Sequence, residues 1–183
     1  MNYHHSLKLL KISVLAFVLF FGSDVQAAVG YAFAASSQTA TVLANHFVRF
    51  NLSAAPHTAD ITPPVPNGNT FTVNTSGTYL IIFHVRGTPA NLTPPDPLVF
   101  NVTANGVAIP RSQFQSDIQT ISLAAGGTLS VNGHVLVRLS AGTAIKLHNV
   151  TQHAGTPANV TLTSAPTGGP ASDNAALTIL RIA

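Results

Sequence analysis

The chain has 183 residues, with eight Lys or Arg against five Asp or Glu and a formal net charge of +3 at pH 7. The basic side chains are scattered singly rather than clustered along a phosphate-binding surface, which excludes nucleic-acid binding. Cysteine is absent, so thiol catalysis and the common structural zinc patterns are also excluded.

Residues 1–27 have the three-part layout of a secretory signal peptide. A basic start that includes Lys8 and Lys11 precedes the apolar run Ile12–Phe21, and Val25–Ala27 supplies a small-x-small cleavage site. We predict cleavage after Ala27 and an extracellular protein, either secreted or attached to the cell surface. The alternative is an uncleaved anchor, although this apolar run is short for a membrane span. No second long apolar run follows, so no membrane span is expected after cleavage.

Residues 28–40 ("AVGYAFAASSQTA") are small and weakly patterned. The sequence leaves three alternatives open for them: a lead-in strand, a flexible tail or an arm. Residues 41–183 are long enough for one domain with its own core. In that part, short β-branched and aromatic runs alternate with Gly, Pro, Asn and Asp clusters, and no useful helical periodicity exists. This pattern predicts an all-β sandwich or barrel.

The stretch 69–85 ("NTFTVNTSGTYLIIFHV") predicts a hairpin of two strands around Ser76-Gly77. Strict alternation in it and in three later runs places one apolar set on an inner face. The predicted core consists of Phe71, Tyr79, Ile81, Phe83, Val85, Phe100, Val137, Ile145, Leu147, Leu177 and Ile179.

Two runs are apolar on both faces. Leu80 and Ile82 share the nominal outer face with His84, and Leu180 and Ile182 lie opposite the predicted core residues of the last strand. A strand that is apolar on both faces needs a second surface to bury against. A loop folded over the sheet or a subunit interface would supply it. Because the chain has few charges, we prefer the interface and predict that Leu80, Ile82, Leu180 and Ile182 contribute to it.

Four ordered blocks carry a family resemblance: "NTFTVNTSGTYLIIFHV", "LVFNVTANGVAI" with Asn-Gly in its turn, "VLVRLSAGTAIKLHNV" and the terminal "AALTILRI". Together they resemble the ten-stranded jelly roll of complement and tumour-necrosis-factor-like proteins. They are most similar to the C-terminal domain of collagen-like exosporium glycoproteins of the BclA type. The resemblance covers 31–183 and implies a two-sheet antiparallel jelly roll of about ten strands that forms a homotrimer and is not an enzyme. A collagen stalk is absent here, and exosporium members generally lack the signal peptide found in this chain.

No cofactor is predicted. His84 is a weak candidate metal ligand, because a threefold axis would present it three times. The alternative is a partly solvated surface histidine. Calcium needs clustered oxygen ligands, whereas the Asp residues are far apart in sequence.

Six N-x-S/T sequons occur, and their residue types are also expected by chance in a Thr-rich strand protein. They begin at Asn51, Asn74, Asn91, Asn101, Asn149 and Asn159.

The sequence therefore predicts a structural or adhesive trimer in an extracellular layer, fibre or matrix, with its own chain as the main partner. The leading alternative is a soluble module that recognises a glycan or a receptor. A hydrolase is a remote alternative, because no G-x-S-x-G motif exists and Glu is absent.

Overall fold

The structure, a computed structural model, describes residues 30–54, 57–90, 96–116, 128–163 and 173–183. The predicted signal peptide lies outside the described residues. All regular secondary structure in the described ranges is β-strand. The fifteen strands are β1 (Gly30–Ser36), β2 (Ala40–Val42), β3 (Leu52–Ala54), β4 (Ile61–Thr62), β5 (Phe71–Val73), β6 (Gly77–Pro89), β7 (Val99–Ala104), β8 (Val107–Ala108), β9 (Phe114–Gln115), β10 (Leu129–Leu139), β11 (Ala144–Asn149), β12 (Gln152–His153), β13 (Thr156–Pro157), β14 (Val160–Leu162) and β15 (Ala175–Arg181).

The strands form two antiparallel sheets and one short hairpin. The larger, seven-stranded sheet has the order β2-β14-β6-β15-β1-β3, and β10 also pairs with β6. The smaller, six-stranded sheet has the order β4-β5-β11-β7-β8, with β9 paired to β7, while β12 pairs with β13. One hydrophobic cluster contains the inward side chains of both sheets. This two-layer, all-antiparallel sandwich confirms the predicted fold class.

The predicted hairpin around Ser76-Gly77 is wrong. β5 pairs with β4 and β11 in the smaller sheet, whereas β6 pairs with β10, β14 and β15 in the larger one. The chain therefore crosses from one sheet to the other at this turn. Phe71 and Tyr79 are both fully buried, because they enter the same core from opposite sheets.

A second crossover lies beside the first, between β10 and β11. The Gly142 backbone has φ +84° there, which favours glycine. The backbone N–H of Ala141 donates to Ser76 Oγ at 2.9 Å, and the N–H of Val73 donates to the carbonyl of Thr143 at 2.9 Å. These bonds join the two turns at one end of the sandwich.

Strand β1 lies in the segment for which the sequence left three alternatives open. Gly30–Ser36 pairs along its whole length with β15 and over three residues with β3. Ala32 and Ala34 are fully buried within the core. From Gly30 onward, therefore, this segment belongs to the larger sheet.

The predicted core residues lie between the two sheets. Ten of the eleven are buried, at 2% exposure or less, and Val137 is partly buried and packs against them. The structure adds large side chains from segments with weak patterns, among them Phe50, Ile61 and Leu162. These segments are short, so their alternation is not visible in the sequence.

Candidate functional site

The outer face of the larger sheet carries apolar side chains that are not part of the core. Its central strands are in a register that aligns outward side chains in rows. Leu136 on β10 is opposite Leu80 on β6, which is opposite Leu180 on β15, which is opposite Tyr31 on β1. Because strand residues alternate between faces, this row lies wholly outside the core.

The next row of outward side chains is also largely apolar. It contains Ile82 on β6, Thr178 on β15 and Phe33 on β1, with His134 on β10 at its edge. We define the apolar face by the apolar side chains of these rows and their neighbours, namely Tyr31, Phe33, Leu52, Leu80, Ile82, Leu136, Leu180 and Ile182.

Several of these side chains are open to solvent. Leu136 is 61% exposed, Ile182 46% and Ile82 41%, whereas Leu80 and Leu180 are partly buried by their neighbours. No segment in the described ranges folds over this face. The covering loop, which was the alternative to a subunit interface, is therefore not found there. Outward charges on β6 and β10 stand only near strand ends, at Arg86 and Arg138. Such a surface has the composition of an interface core.

A hollow of ≈ 270 Å³ opens in this face beside the Ile82 row. His84 and His134 line it together with Asn132, and small side chains on β15 form its other wall. His84 Nδ1 lies 2.8 Å from Asn132 Oδ1. The structure thus places the predicted metal candidate, His84, next to a second histidine.

Gly133 lies beneath this hollow, on the inward side of β10. A Cβ atom there would meet Phe83 Cε1 and Cζ at 2.4 Å and Phe114 Cδ2 at 2.6 Å. The Phe83 and Phe114 rings meet edge to face, with centroids 5.9 Å apart. The missing side chain at residue 133 therefore makes room for two aromatic rings that cover the strand.

A second depression lies away from the apolar face, next to the edge strand β2. This groove of ≈ 370 Å³ is lined by His46, Phe47, Arg49 and Leu43, among others. Lys146 Nζ stands 4.7 Å from the centroid of the Phe47 ring, and the His148 ring is 5.0 Å from it. The side chains of Arg49 and Lys146 form no ion pair with any described residue. The groove therefore combines an aromatic ring with unneutralised positive charge.

Two contacts between a basic side chain and a carboxylate occur among the described residues, and both tie loops or strand ends. His153 Nδ1 lies 2.5 Å from Asp96 Oδ2, a hydrogen-bond contact beside the β12–β13 hairpin, and Arg181 Nη1 forms an ion pair with Asp60 Oδ1 at 3.4 Å. Burial, opposed in part by Arg181, raises the pKa of Tyr79 above its ordinary value. The Tyr79 hydroxyl donates a hydrogen bond to the carbonyl of Thr75. These contacts hold loops and strand ends in place.

Two of the sequons lie at buried asparagines. Asn149 is fully buried, and its Nδ2 donates to the carbonyls of Val42, Leu43 and Ala158 at 3.0–3.2 Å. Asn101 is 5% exposed. Neither side chain is accessible for glycosylation in the folded chain, whereas Asn74 and Asn159 are exposed. Asn91 lies outside the described residues.

Sequence reasoning did not assign Leu136, His134 or the groove beside Phe47 to a site. Alternation places Val135 and Val137 inward and therefore Leu136 outward, but only the register shows that Leu136 stands opposite Leu80. In the part of the chain that the structure describes, no group of three or more His, Cys, Asp or Glu could hold a metal ion. In the same part, no helix has the length and apolarity to cross a membrane.

Several solved structures have this fold. The globular domain of zebrafish complement 1qA protein is 16% identical, with a TM-score of 0.56 over 84% of this chain and 98% of that one. The Eiger TNF of S. frugiperda is 15% identical, with a TM-score of 0.57 over 85% of this chain and 93% of that one. Murine APRIL is 12% identical, with a TM-score of 0.55 over 84% and 98% of the respective chains. The chain therefore has the jelly-roll fold of complement 1q and TNF domains.

No family model and no curated protein sequence matches the chain.

Proposed function

We propose that the chain is a non-enzymatic structural or adhesive module that assembles as a homotrimer through the apolar face. In this proposal residues 1–27 direct export, and residues 28–183 function in an extracellular layer, fibre or matrix. The apolar face is the observation that supports the proposal most strongly.

The size and chemistry of the apolar face support association. Its rows run across β10, β6, β15 and β1, and β3 extends them with Leu52. Contiguous apolar surface of this kind is uncommon on monomers and marks contact sites. Burying it removes Leu and Ile side chains from water at about 25 cal/mol per Å² of apolar area. Because no charge interrupts the rows, little desolvation of charged groups opposes that gain.

The trimeric state is proposed from the family resemblance in the sequence, together with the shared fold. The similarity to the exosporium glycoproteins belongs to the same proposal and indicates a role in a surface layer. A closed threefold arrangement would cover the apolar face on every subunit, which an open filament would not do at its ends.

Light scattering of purified residues 28–183 tests the assembly. We expect a trimer at micromolar concentration, and we expect Ile82→Asp to shift it to monomer, because an unpaired carboxylate would be buried in the contact. Val107→Asp is the matched control: Val107 is 72% exposed on β8 in the smaller sheet, so this variant should stay trimeric. A stable wild-type monomer would overturn the proposal.

The second candidate is a soluble module that binds a glycan, and the groove beside Phe47 favours it. The ring offers an apolar platform, while Arg49 and His46 offer donors to sugar hydroxyl or carboxylate groups. A glycan array should separate the two functions: binding that is lost in Arg49→Ala supports the recognition module, and a blank array at high protein concentration excludes it.

A further inference from the structure

We propose that His84 and His134 form a binding site for a divalent transition-metal ion of the Zn²⁺ class. Imidazole nitrogen is a preferred ligand of these ions. Both side chains line the hollow of ≈ 270 Å³ in the outer face of the larger sheet. The inference rests on the geometry of one chain, so it does not depend on trimer formation.

The strand register brings the two histidines together. His134 on β10 is opposite Ile82, and His84 on β6 is opposite Asn132, so the histidines are diagonal neighbours on adjacent antiparallel strands. Diagonal partners have Cα atoms about 7–8 Å apart and Cβ atoms somewhat closer. Two imidazole rings on such positions can converge on one ion at metal–nitrogen distances of about 2.0–2.1 Å.

Asn132 sets the tautomer that a ligand needs. Its Oδ1 lies 2.8 Å from His84 Nδ1, and an amide oxygen can only accept a hydrogen bond. Nδ1 therefore carries the proton, and Nε2 keeps its lone pair. Histidines that bind metals typically have this arrangement, in which the second ring nitrogen donates to an oxygen that fixes the ring orientation.

The second ring is also supported. His134 packs against Phe114 with centroids 5.9 Å apart and planes inclined by 34°, and Phe114 is in turn packed against Phe83. Across the hollow, Ala176 and Thr178 on β15 are small and leave space for an ion with bound water. No described group of three ligating side chains exists, so this chain supplies two ligands and solvent or a second molecule completes the coordination.

Titration of residues 28–183 with ZnCl₂ by calorimetry, and with CoCl₂ by visible absorption, tests the site. We expect one ion per chain. We expect His84→Ala and His134→Ala each to abolish the Co²⁺ absorption band. Asn132→Ala should weaken binding about 10-fold or more, since loss of an orienting partner has that effect, while Asn132→Asp retains the acceptor and the affinity. The matched controls His46→Ala and His148→Ala should bind like the wild type.

Each outcome decides the proposal. Absence of binding by the wild type overturns it, and so does binding that persists in either His84→Ala or His134→Ala. One ion per three chains that needs His84 but not His134 also overturns the paired site. Circular dichroism without metal shows that each variant is folded, because both side chains lie at the surface. Light scattering of the same samples separates this result from the assembly: a monomer that binds one ion supports the metal site and contradicts the trimer.

Discussion

The two outer faces of the sandwich share one backbone pattern and differ in chemistry. Outward positions of the larger sheet carry Leu80, Ile82 and Leu136. The corresponding positions of the smaller sheet are mostly polar, with Thr72 on β5 and Lys146 on β11 among them. Because the fold requires apolar residues only on inner faces, the outer chemistry reflects what each face contacts. The comparison therefore identifies the larger sheet as the side at which another surface is expected.

The largest expected effect tests whether the core contributes equally to stability beneath both faces. Phe83 lies under the apolar face and Phe100 under the polar one, and both are buried. Phe83→Ala and Phe100→Ala should each lower the free energy of unfolding by about 3–5 kcal/mol, as large core truncations do. Urea denaturation at one fixed protein concentration measures the loss. A loss below about 1 kcal/mol for Phe83 would show that the inward side of β6 is misassigned.

Two buried asparagines give the next effect, one at the end of β11 and one just before β15. Asn149 on β11 donates to three carbonyls, and its Oδ1 accepts from the N–H of Thr151 at 3.0 Å. Asn174 donates to the carbonyl of Gln38 at 2.6 Å, and its Oδ1 has no hydrogen-bond partner among the described residues. Asn149→Ala should cost about 2–4 kcal/mol, because it removes several buried hydrogen bonds at once.

Asn174→Ala is the matched comparison and should cost about 1–2 kcal/mol, since it removes one hydrogen bond together with an unpaired oxygen. Thermal denaturation of both variants gives the ranking. Equal losses would contradict the link between the number of satisfied carbonyls and stability.

A milder substitution on each face tests whether the two faces differ in their contribution to subunit association. Leu136→Asn on the apolar face should raise the concentration at which the proposed trimer dissociates by about 10-fold or more, given roughly 1.5–3 kcal/mol for a buried Leu side chain. His148→Asn on the polar face should leave that concentration unchanged. Analytical ultracentrifugation over a dilution series measures both, and an equal shift in the two variants would mean that the faces do not differ in association.

The smallest effect is at Tyr79, beneath the apolar face. Its pKa is raised by burial, so the unfolded chain loses this proton first and stability falls as the pH rises above about 10. Tyr79→Phe should lower stability by about 1 kcal/mol at neutral pH through the lost hydrogen bond to Thr75. Above pH 10 the variant should lose less further stability than the wild type. Parallel alkaline profiles for the two proteins would contradict the assignment.

Alternation predicted much of the fold, because it is a property of single strands. The inner set Tyr79, Ile81, Phe83 and Val85 is visible in sequence and is buried in the structure. Alternation does not show which other strand a given strand pairs with. The turn at Ser76-Gly77 looks the same in sequence whether the chain pairs with its neighbour or crosses to the other sheet. The hairpin prediction failed for that reason.

The candidate site, too, could be predicted only where it depends on single strands. Leu80, Ile82, Leu180 and Ile182 could be named, because each breaks the alternation of its own strand. The proximity of His84 to His134 could not be predicted, since it depends on the register of two strands about fifty residues apart. The apolar role of β1 was hidden by its small residues, although Tyr31 and Phe33 occupy alternate positions facing outward.

Gly30 at the start of β1 pairs with Arg181 at the end of β15. The chain enters β1 and leaves β15 at the same pole of the sandwich, where the carbonyl of Ala183 also accepts the N–H of Thr78 at 2.6 Å. A tether attached at either terminus would therefore hold the domain by that pole. The opposite pole, where β1 ends at Ser36 and β15 begins at Ala175, would be the end displayed outward from an anchoring layer.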